Sequence, residues 1–257
     1  MKIGTKSVLF GAHQFLIHPW FVAWGWWTLY GFRRVYIGYR PGLPETWQWA
    51  LGFRGGPIFA ALWHPALWLA FFVHDLGYIG KPNMDGAEGE RHPVAGARLM
   101  TRIFDLWCES RWFRSISGVM VGTAENERPW LNLGTWGRFT LLHSRYFAKT
   151  VGKQPSPLCM ADKLAISLTP AWLYLPMVRA TGEVREYMAH ASHRVVGNIN
   201  ITDEEKRRVV SASQSEWYAG VQSYCRRWAL AHRDGAVDTW TSDARNRATV
   251  NEAGVWQ

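Results

Sequence analysis

Apolar residues recur along most of the chain at the i, i+3, i+4 spacing of α-helices, whereas alternation of apolar and polar residues is rare. This pattern indicates an all-α protein. It predicts helices over residues 19–30, 57–75, 93–108, 111–124 and 135–150, a helix from Pro157 through Asp162 and beyond, and a charged helix over 203–228. The second helix, over 57–75, is apolar on every side and is therefore expected to be central and buried.

Two stretches interrupt the helical pattern and suggest how the chain is organised. Residues 38–56 are rich in Gly and Pro, so we expect a loop or irregular insertion over 33–56. Residues 79–91 are polar and rich in Gly, which is typical of a loop. The chain becomes more polar from about Thr181. We therefore predict one domain over 1–180, with residues 181–257 as a helical extension and tail packed on it.

A charge-free run raises the question of a membrane span. Residues 7–32 contain no Asp, Glu, Lys or Arg, and Arg33 and Arg34 follow directly. The length would suffice for a span. However, His13, His18 and Pro19 lie inside the run, and polar groups at that depth need protein partners or water. We therefore predict a buried helix and no transmembrane span.

Composition narrows the class of protein further. Hydrophobic residues make up 48% of the chain, which excludes wholesale disorder, and three widely spaced Cys form no disulfide framework. A reducing, cytoplasmic location fits this cysteine usage. The formal charge of +9 favours an anionic partner such as a nucleotide, a nucleic acid or a lipid headgroup. The sequence leaves homo-oligomerisation open.

Seventeen Trp residues suit a protein core, a membrane interface or base stacking. Trp20, Trp24 and Trp27 fall on one helical face, which favours core or interface packing. Further tryptophans are expected in the helical core (Trp63, Trp68, Trp107, Trp112) and in a second small core or dimer contact (Trp217, Trp228, Trp240).

The strongest chemical signal is a His-Asp pair at the end of the second apolar helix, His74-Asp75. Asp162 lies among apolar neighbours, where a carboxylate is costly unless a cation or donor pairs with it. His92 and His143 occur on successive predicted elements, and this mixture of imidazoles and carboxylates suits a metal site with nitrogen and oxygen ligands. His64 precedes Asp75 by about 16 Å along a continuous helix and is expected to be a buried structural residue.

The order of these residues resembles the HD superfamily of metal-dependent phosphohydrolases. HDLGYIGKP followed by HPVAGARLM is similar to the stretch of HD-GYP-type members, and LLHSRYFAKTVGKQPSPLCMADKLA is similar to the stretch with a further His and the final Asp. The resemblance covers about residues 13–168 but lacks the Gly-Tyr-Pro signature, so cyclic-dinucleotide specificity does not carry over. It implies an HD-domain helical bundle whose metal ligands are His18 (with His13 as the alternative), His74, Asp75, His92, His143 and Asp162.

The resemblance also implies a mechanism. Asp75 would bridge two divalent ions, with Mn, Fe, Co, Mg and Ni all open, and their charge would lower the pKa of a shared water towards neutrality. The resulting hydroxide would attack a phosphate ester of a nucleotide or similar small anion. Cationic side chains would stabilise the developing charge. We predict Arg145 and Lys163 as catalytic residues beside Asp75, and Lys81, Arg145 and Lys149 as substrate-binding residues.

Two other functions stay open at the level of sequence. Some HD proteins with four His and two Asp ligands hold a mixed-valent di-iron pair and oxygenate their substrate, and the six ligands named above have that same composition. Alternatively, the chain is a non-enzymatic, basic binder of a membrane surface or of nucleic acid, in which the histidines are structural.

Overall fold

Ten α-helices make up most of the part of the chain that the computed structural model describes, which is residues 1–32, 35–36, 59–60, 62–84, 88–105, 135–150, 153–196, 203–204, 207 and 211–240. They are α1 (Ile3–Phe10), α2 (His18–Tyr30), α3 (Pro65–Val73), α4 (Pro93–Met100), α5 (Thr135–Leu141), α6 (Arg145–Thr150), α7 (Pro157–Leu168), α8 (Ala171–Thr181), α9 (Glu183–Val196) and α10 (Gln214–His232). The prediction of an all-α fold is confirmed.

Among the described residues, the only strands form a short antiparallel ladder. It joins β1 (Val35–Tyr36) to β2 (Phe59–Ala60). The two strands lie at the two ends of the predicted insertion, so they hold the chain together where it leaves α2 and where it returns towards α3. The insertion therefore does not separate the two helices in space, and α2 packs against α3.

The core lies around α7, which packs against α2 on one side and α10 on another. Gly25 of α2 makes the first contact a close one, since a Cβ atom there would lie 2.4 Å from the carbonyl oxygen of Ala161. Trp26 is fully buried against Phe71 and Phe139. This packing fixes α2 and α7, which carry His18 and Asp162, and α3, which the pair His74-Asp75 directly follows.

The second apolar helix is shorter than predicted. It begins at Pro65 rather than near Pro57, because proline lacks the amide hydrogen that a continuing helix needs. His64 is the N-cap, and its Nδ1 atom accepts a hydrogen bond from the amide of Ala66. The prediction that His64 is a buried residue of a continuous helix was therefore wrong: it is half-buried and caps the helix. Trp63, predicted in the core, is 60% exposed.

Two further predicted helices are interrupted. The helix expected over 93–108 ends at Met100 and continues as a π-helical turn over Thr101–Asp105. The helix expected over 135–150 is two helices separated by a turn at residues 142–144. Ser144 explains this break, since its hydroxyl accepts a hydrogen bond from the amide of Phe147 and starts α6 afresh. The turn carries His143.

The C-terminal part packs on the rest of the protein. The charged helix predicted over 203–228 is interrupted before Gln214, where Ser213 and Glu216 form a reciprocal capping box that starts α10. Trp228 of α10 is fully buried against α7, which confirms its predicted core role. Trp217 is half-buried and Trp240 is 41% exposed. The domain boundary at residue 180 stays a prediction.

Several predictions concern parts of the chain outside the described residues. These are the helix over 111–124, the interior of the insertion, Trp107, Trp112 and the tail after residue 240. Among the described helices, none has the length and apolar character that crossing a membrane requires.

Candidate metal centre

Six side chains from five parts of the fold converge in the interior. His18 opens α2, the pair His74-Asp75 follows α3, His92 directly precedes α4, His143 lies between α5 and α6, and Asp162 lies in the middle of α7. Each is at most 8% exposed. They are the six residues that the sequence predicted as ligands.

Close packing of the backbone brings His92 next to the pair His74-Asp75. Gly77 follows the His-Asp pair, and a Cβ atom at this position would lie 1.9 Å from the carbonyl oxygen of His92. Only a glycine therefore lets the turn after α3 approach the start of α4 so closely. The result is that His92 faces Asp75.

Asp75 lies at the centre, and its two carboxylate oxygens face different histidines. Oδ2 lies 3.0 Å from Nε2 of His74 and 3.4 Å from Nε2 of His18. Oδ1 lies 3.4 Å from Nε2 of His143 and 3.5 Å from Nε2 of His92. Asp162 completes the first side, with its Oδ1 3.1 Å from Nε2 of His18. Two groups of ligand atoms that could hold an ion therefore share Asp75 (His18, His74, Asp75, Asp162; Asp75, His92, His143).

Backbone carbonyls fix the orientation of three of the four imidazoles. The Nδ1 atoms of His74, His92 and His143 lie 2.9, 2.8 and 2.6 Å from the carbonyl oxygens of Phe71, Gly89 and Thr140. A carbonyl can only accept a hydrogen bond, so each Nδ1 carries the hydrogen and each neutral ring presents a lone pair at Nε2. This is the arrangement that metal-binding histidines use.

The arrangement of the cluster is better suited to holding a cation than to hydrogen bonding among its own members. Nε2 of His92 lies 3.0 Å from Nε2 of His143, so two lone pairs face each other. On the other side, Nε2 of His74 and Oδ2 of Asp75 lie 3.0 Å apart and form an ion pair when the ring is protonated. The facing lone pairs of His92 and His143 are costly when buried, and a cation would satisfy both. The donor set of imidazole and carboxylate therefore suits metal binding.

Burial and neighbouring charges shift the pKa values of the clustered histidines in different directions. Burial lowers the pKa of His92, and the neighbouring His143 lowers it further, so His92 is ready to coordinate as a neutral ring. Burial also opposes a charge on His74, but Asp75 and Asp162 outweigh it and raise the pKa of His74 to about 10. A metal ion must displace that proton, so metal binding on the His74 side is expected to release protons.

His13, the alternative first ligand, lies just outside the cluster. Its Nε2 is 4.0 Å from Oδ2 of Asp75, and its Nδ1 lies 2.9 Å from the Ser7 hydroxyl. His18 belongs to the group of ligand atoms and His13 does not. Burial lowers the pKa of His13 to about 4, so it is neutral near pH 7. The sequence analysis assigns no role to Ser7 or Tyr78, yet Tyr78 stacks on His92 with ring centroids 3.9 Å apart.

The predicted cationic residues occupy different positions. Lys163 donates to Oδ2 of Asp162 at 2.7 Å and therefore lies at the edge of the cluster. Lys81 forms an ion pair with Glu88 at 3.0 Å. Lys149 is half-buried on α6. The roles of all three in catalysis or substrate binding stay predictions.

Arg145 has a packing role that the sequence did not reveal. Its Nη1 donates to the Tyr224 hydroxyl at 2.8 Å, and its guanidinium carbon lies 4.9 Å from the centre of the Trp228 ring. Arg145 thus links α6 to α10. Its predicted catalytic role is untested by these contacts.

Replacing Arg145 by alanine is expected to lower the free energy of unfolding by about 2 kcal/mol, because the cation–π contact and the hydrogen bond to Tyr224 are both lost. Urea unfolding measures this change, and Arg226→Ala, at an exposed site on α10, is the control. Steady-state kinetics on the same variants separate the two roles. Slower turnover under conditions where the variant stays folded would add a catalytic role to the packing role.

A buried carboxyl group connects the C-terminal part to the site. Glu183, at the start of α9, accepts hydrogen bonds from the Thr181 hydroxyl at 2.7 Å and from the amide of Ala12 at 3.1 Å. It also bonds the Ser7 hydroxyl, which in turn bonds His13. Burial raises the pKa of Glu183 from 4.5 to about 7 despite these hydrogen bonds.

Because the pKa of Glu183 is higher in the folded state, the folded protein binds more protons than the unfolded chain between about pH 4.5 and pH 7. Stability contributed by this group is therefore lost as pH rises through that window. Glu183→Gln is expected to remove a pH-dependent difference of about 3 kcal/mol. Thermal unfolding of both proteins at pH 5 and pH 8 tests this, and equal pH dependence in the two would contradict the assignment.

Comparison with known proteins adds no family to this picture. None of the protein families, curated proteins or solved structures with which the chain was compared matches it. What the fold and the cluster establish is a helical protein with a buried group of His and Asp residues that could hold metal ions.

Proposed function

We propose that this protein is an HD-type, metal-dependent phosphohydrolase that acts on a phosphate ester of a nucleotide or similar small anion. The observation that carries the proposal is the central position of Asp75, whose two oxygens face two separate groups of ligands. A carboxylate in this position is suited to bridging two cations. Two-metal sites are common in enzymes that hydrolyse phosphate esters.

Other residues of the chain would orient the ligands and bind the substrate. When bound, two divalent cations supply the charge that lowers the pKa of water and neutralises phosphate oxygens. The ion pair with Lys163 keeps Asp162 ionised and holds one of its oxygens away from the histidines. His13 presents an uncharged imidazole beside Asp75, where it can hydrogen-bond a substrate oxygen.

The resemblance in sequence supports the same assignment. The motif predicted six ligands spread over 145 positions, from residue 18 to residue 162, and all six lie in one buried cluster. A set of structural histidines would have no reason to place two Nε2 lone pairs against each other. The net charge of +9 also suits an anionic substrate.

Elemental analysis of the purified protein, followed by a phosphate-release screen of nucleoside mono-, di- and triphosphates, tests the proposal. We expect bound divalent metal and phosphate release that depends on Mn, Co or Mg. Bound iron together with oxygen consumption would replace the proposal with the di-iron oxygenase. Protein without metal whose binding of lipid or nucleic acid is unchanged by Asp75→Ala would replace it with a non-enzymatic binder.

A further inference from the structure

The outer side of α2 carries tryptophans where a surface helix normally carries polar residues. Trp20, Trp24 and Trp27 are 59%, 52% and 44% exposed. The sequence leaves open whether this stripe belongs to the core, and the structure places it on the outside. α2 contains no Asp, Glu, Lys or Arg, so no charged side chain of its own interrupts the stripe.

Neighbouring apolar residues extend the stripe into a continuous surface. Trp27 contacts Phe32 with ring centroids 4.3 Å apart, and Trp20 contacts Phe72 at 6.3 Å. Phe72 in turn contacts Phe15 at 5.5 Å. We call this region the aromatic surface and define it by its exposed members (Phe15, Leu16, Trp20, Trp24, Trp27, Phe32). Contiguous exposed apolar surface of this kind marks an interaction site.

The charges that accompany this surface in the sequence have one sign. Residues 1–44 contain five basic residues (Lys2, Lys6, Arg33, Arg34, Arg40) and no Asp or Glu. Tryptophan is enriched at the boundary between lipid and water, and basic residues beside it are attracted to anionic headgroups. A segment that combines exposed tryptophan with only positive charge therefore matches the chemistry of an anionic membrane surface.

We propose that the aromatic surface docks this protein on an anionic phospholipid membrane. A second copy of the chain is a poorer fit, because residues 1–44 of both copies carry only positive charge in their sequence. α2 has 13 residues, too few to cross a bilayer, so it would lie in the plane of the headgroups. The proposal does not depend on which reaction the metal centre performs.

Docking in this way would place the metal centre close to the membrane. A cavity beside the cluster is lined by His13, His18, His74 and Asp75, and Phe15 of the aromatic surface also lines it. The aromatic surface and the wall of this cavity therefore share a residue. A docked protein would present the cavity next to the lipid headgroups.

Co-sedimentation with vesicles tests the proposal on the full chain. One set of vesicles is phosphatidylcholine, and the other is phosphatidylcholine and phosphatidylglycerol in equal parts. We expect binding at least about ten-fold tighter to the anionic vesicles, and weaker binding as salt is raised. Equal binding to both sets, or no binding to either, would overturn the proposal.

A double variant assigns the binding to the aromatic surface. Trp24→Ser with Trp27→Ser is expected to weaken partitioning at least about ten-fold, because two apolar contacts with the membrane are lost. Trp172→Ser, at the 76% exposed tryptophan of α8, is the matched control and should bind as the unchanged protein does. Circular dichroism confirms that both variants fold. Equal binding by the double variant and the control would refute the assignment, as would a dimer of the unchanged protein that the double variant alone fails to form.

Discussion

Replacing Asp75 by asparagine is expected to abolish both metal binding and phosphate release. Asparagine keeps the size of the side chain, but it replaces one carboxylate oxygen with an amide nitrogen that donates hydrogen bonds and carries no charge. Because the two oxygens of Asp75 face two groups of ligands, one substitution damages both. Loss of residues that merely support metal ligands weakens metal binding about 10- to 100-fold, so the loss here should exceed 100-fold.

Two control variants accompany this experiment. Asp234→Asn makes the same chemical change at a side chain that is 83% exposed, and it should leave metal content and activity unchanged. His64→Ala removes the N-cap of α3 at a cost of about 1 kcal/mol but should keep the metal, since His64 caps the end of α3 far from Asp75. Metal content is measured by elemental analysis. An Asp75→Asn protein that keeps full metal occupancy and activity would show that the ligand set is wrong.

Removing metal with a chelator is expected to destabilise the protein substantially. A ligand present at about a thousand times its dissociation constant stabilises the folded state by about 4 kcal/mol. For a chain of this size that corresponds to a fall in the unfolding temperature of roughly 8–16 °C. The cause in this protein is local, since chelation leaves the facing Nε2 atoms of His92 and His143 without a cation between them.

Thermal unfolding with and without EDTA measures this shift, and re-addition of Mn or Co should restore the original unfolding temperature. The Asp75→Asn variant should unfold at the same temperature in both conditions, because it holds no metal to remove. An unchanged protein whose unfolding temperature ignores both chelator and added metal would contradict a metal centre in this cluster.

Much of the site follows from short-range features of the sequence. The helical spacing of apolar residues predicts the all-α fold, and the six residues that the family resemblance implies as ligands lie together in one buried cluster. The prediction of the fold class succeeds because it depends on residue type and local order. Helix ends were less predictable: Pro65 and Ser144 start new helices inside runs whose apolar periodicity continues through them.

The sequence does not predict contacts between side chains that come together only when the chain folds. Glu183 reaches His13 through Ser7, across 170 positions, and nothing in their local sequence marks the connection. The sequence predicts a catalytic and substrate-binding role for Arg145, which follows His143 by two residues, but it does not reveal that the guanidinium group packs on Tyr224 and Trp228 of α10. Contacts of this kind depend on how helices are arranged, which periodicity does not encode.

By itself, the sequence determined the class of fold and the absence of charged residues in α2, and it singled out the six residues proposed as ligands. The tertiary structure decided which way the tryptophans of α2 face, since a stripe of one residue type fits a core and a surface equally well. It also decided how the ligands divide, because only the packing of α3 against α4 turns the two oxygens of Asp75 towards different histidines. The physical reason is the same in both cases. The residue types determine which groups are stabilised by burial or by a cation, and the packing of the helices determines which neighbours those groups contact.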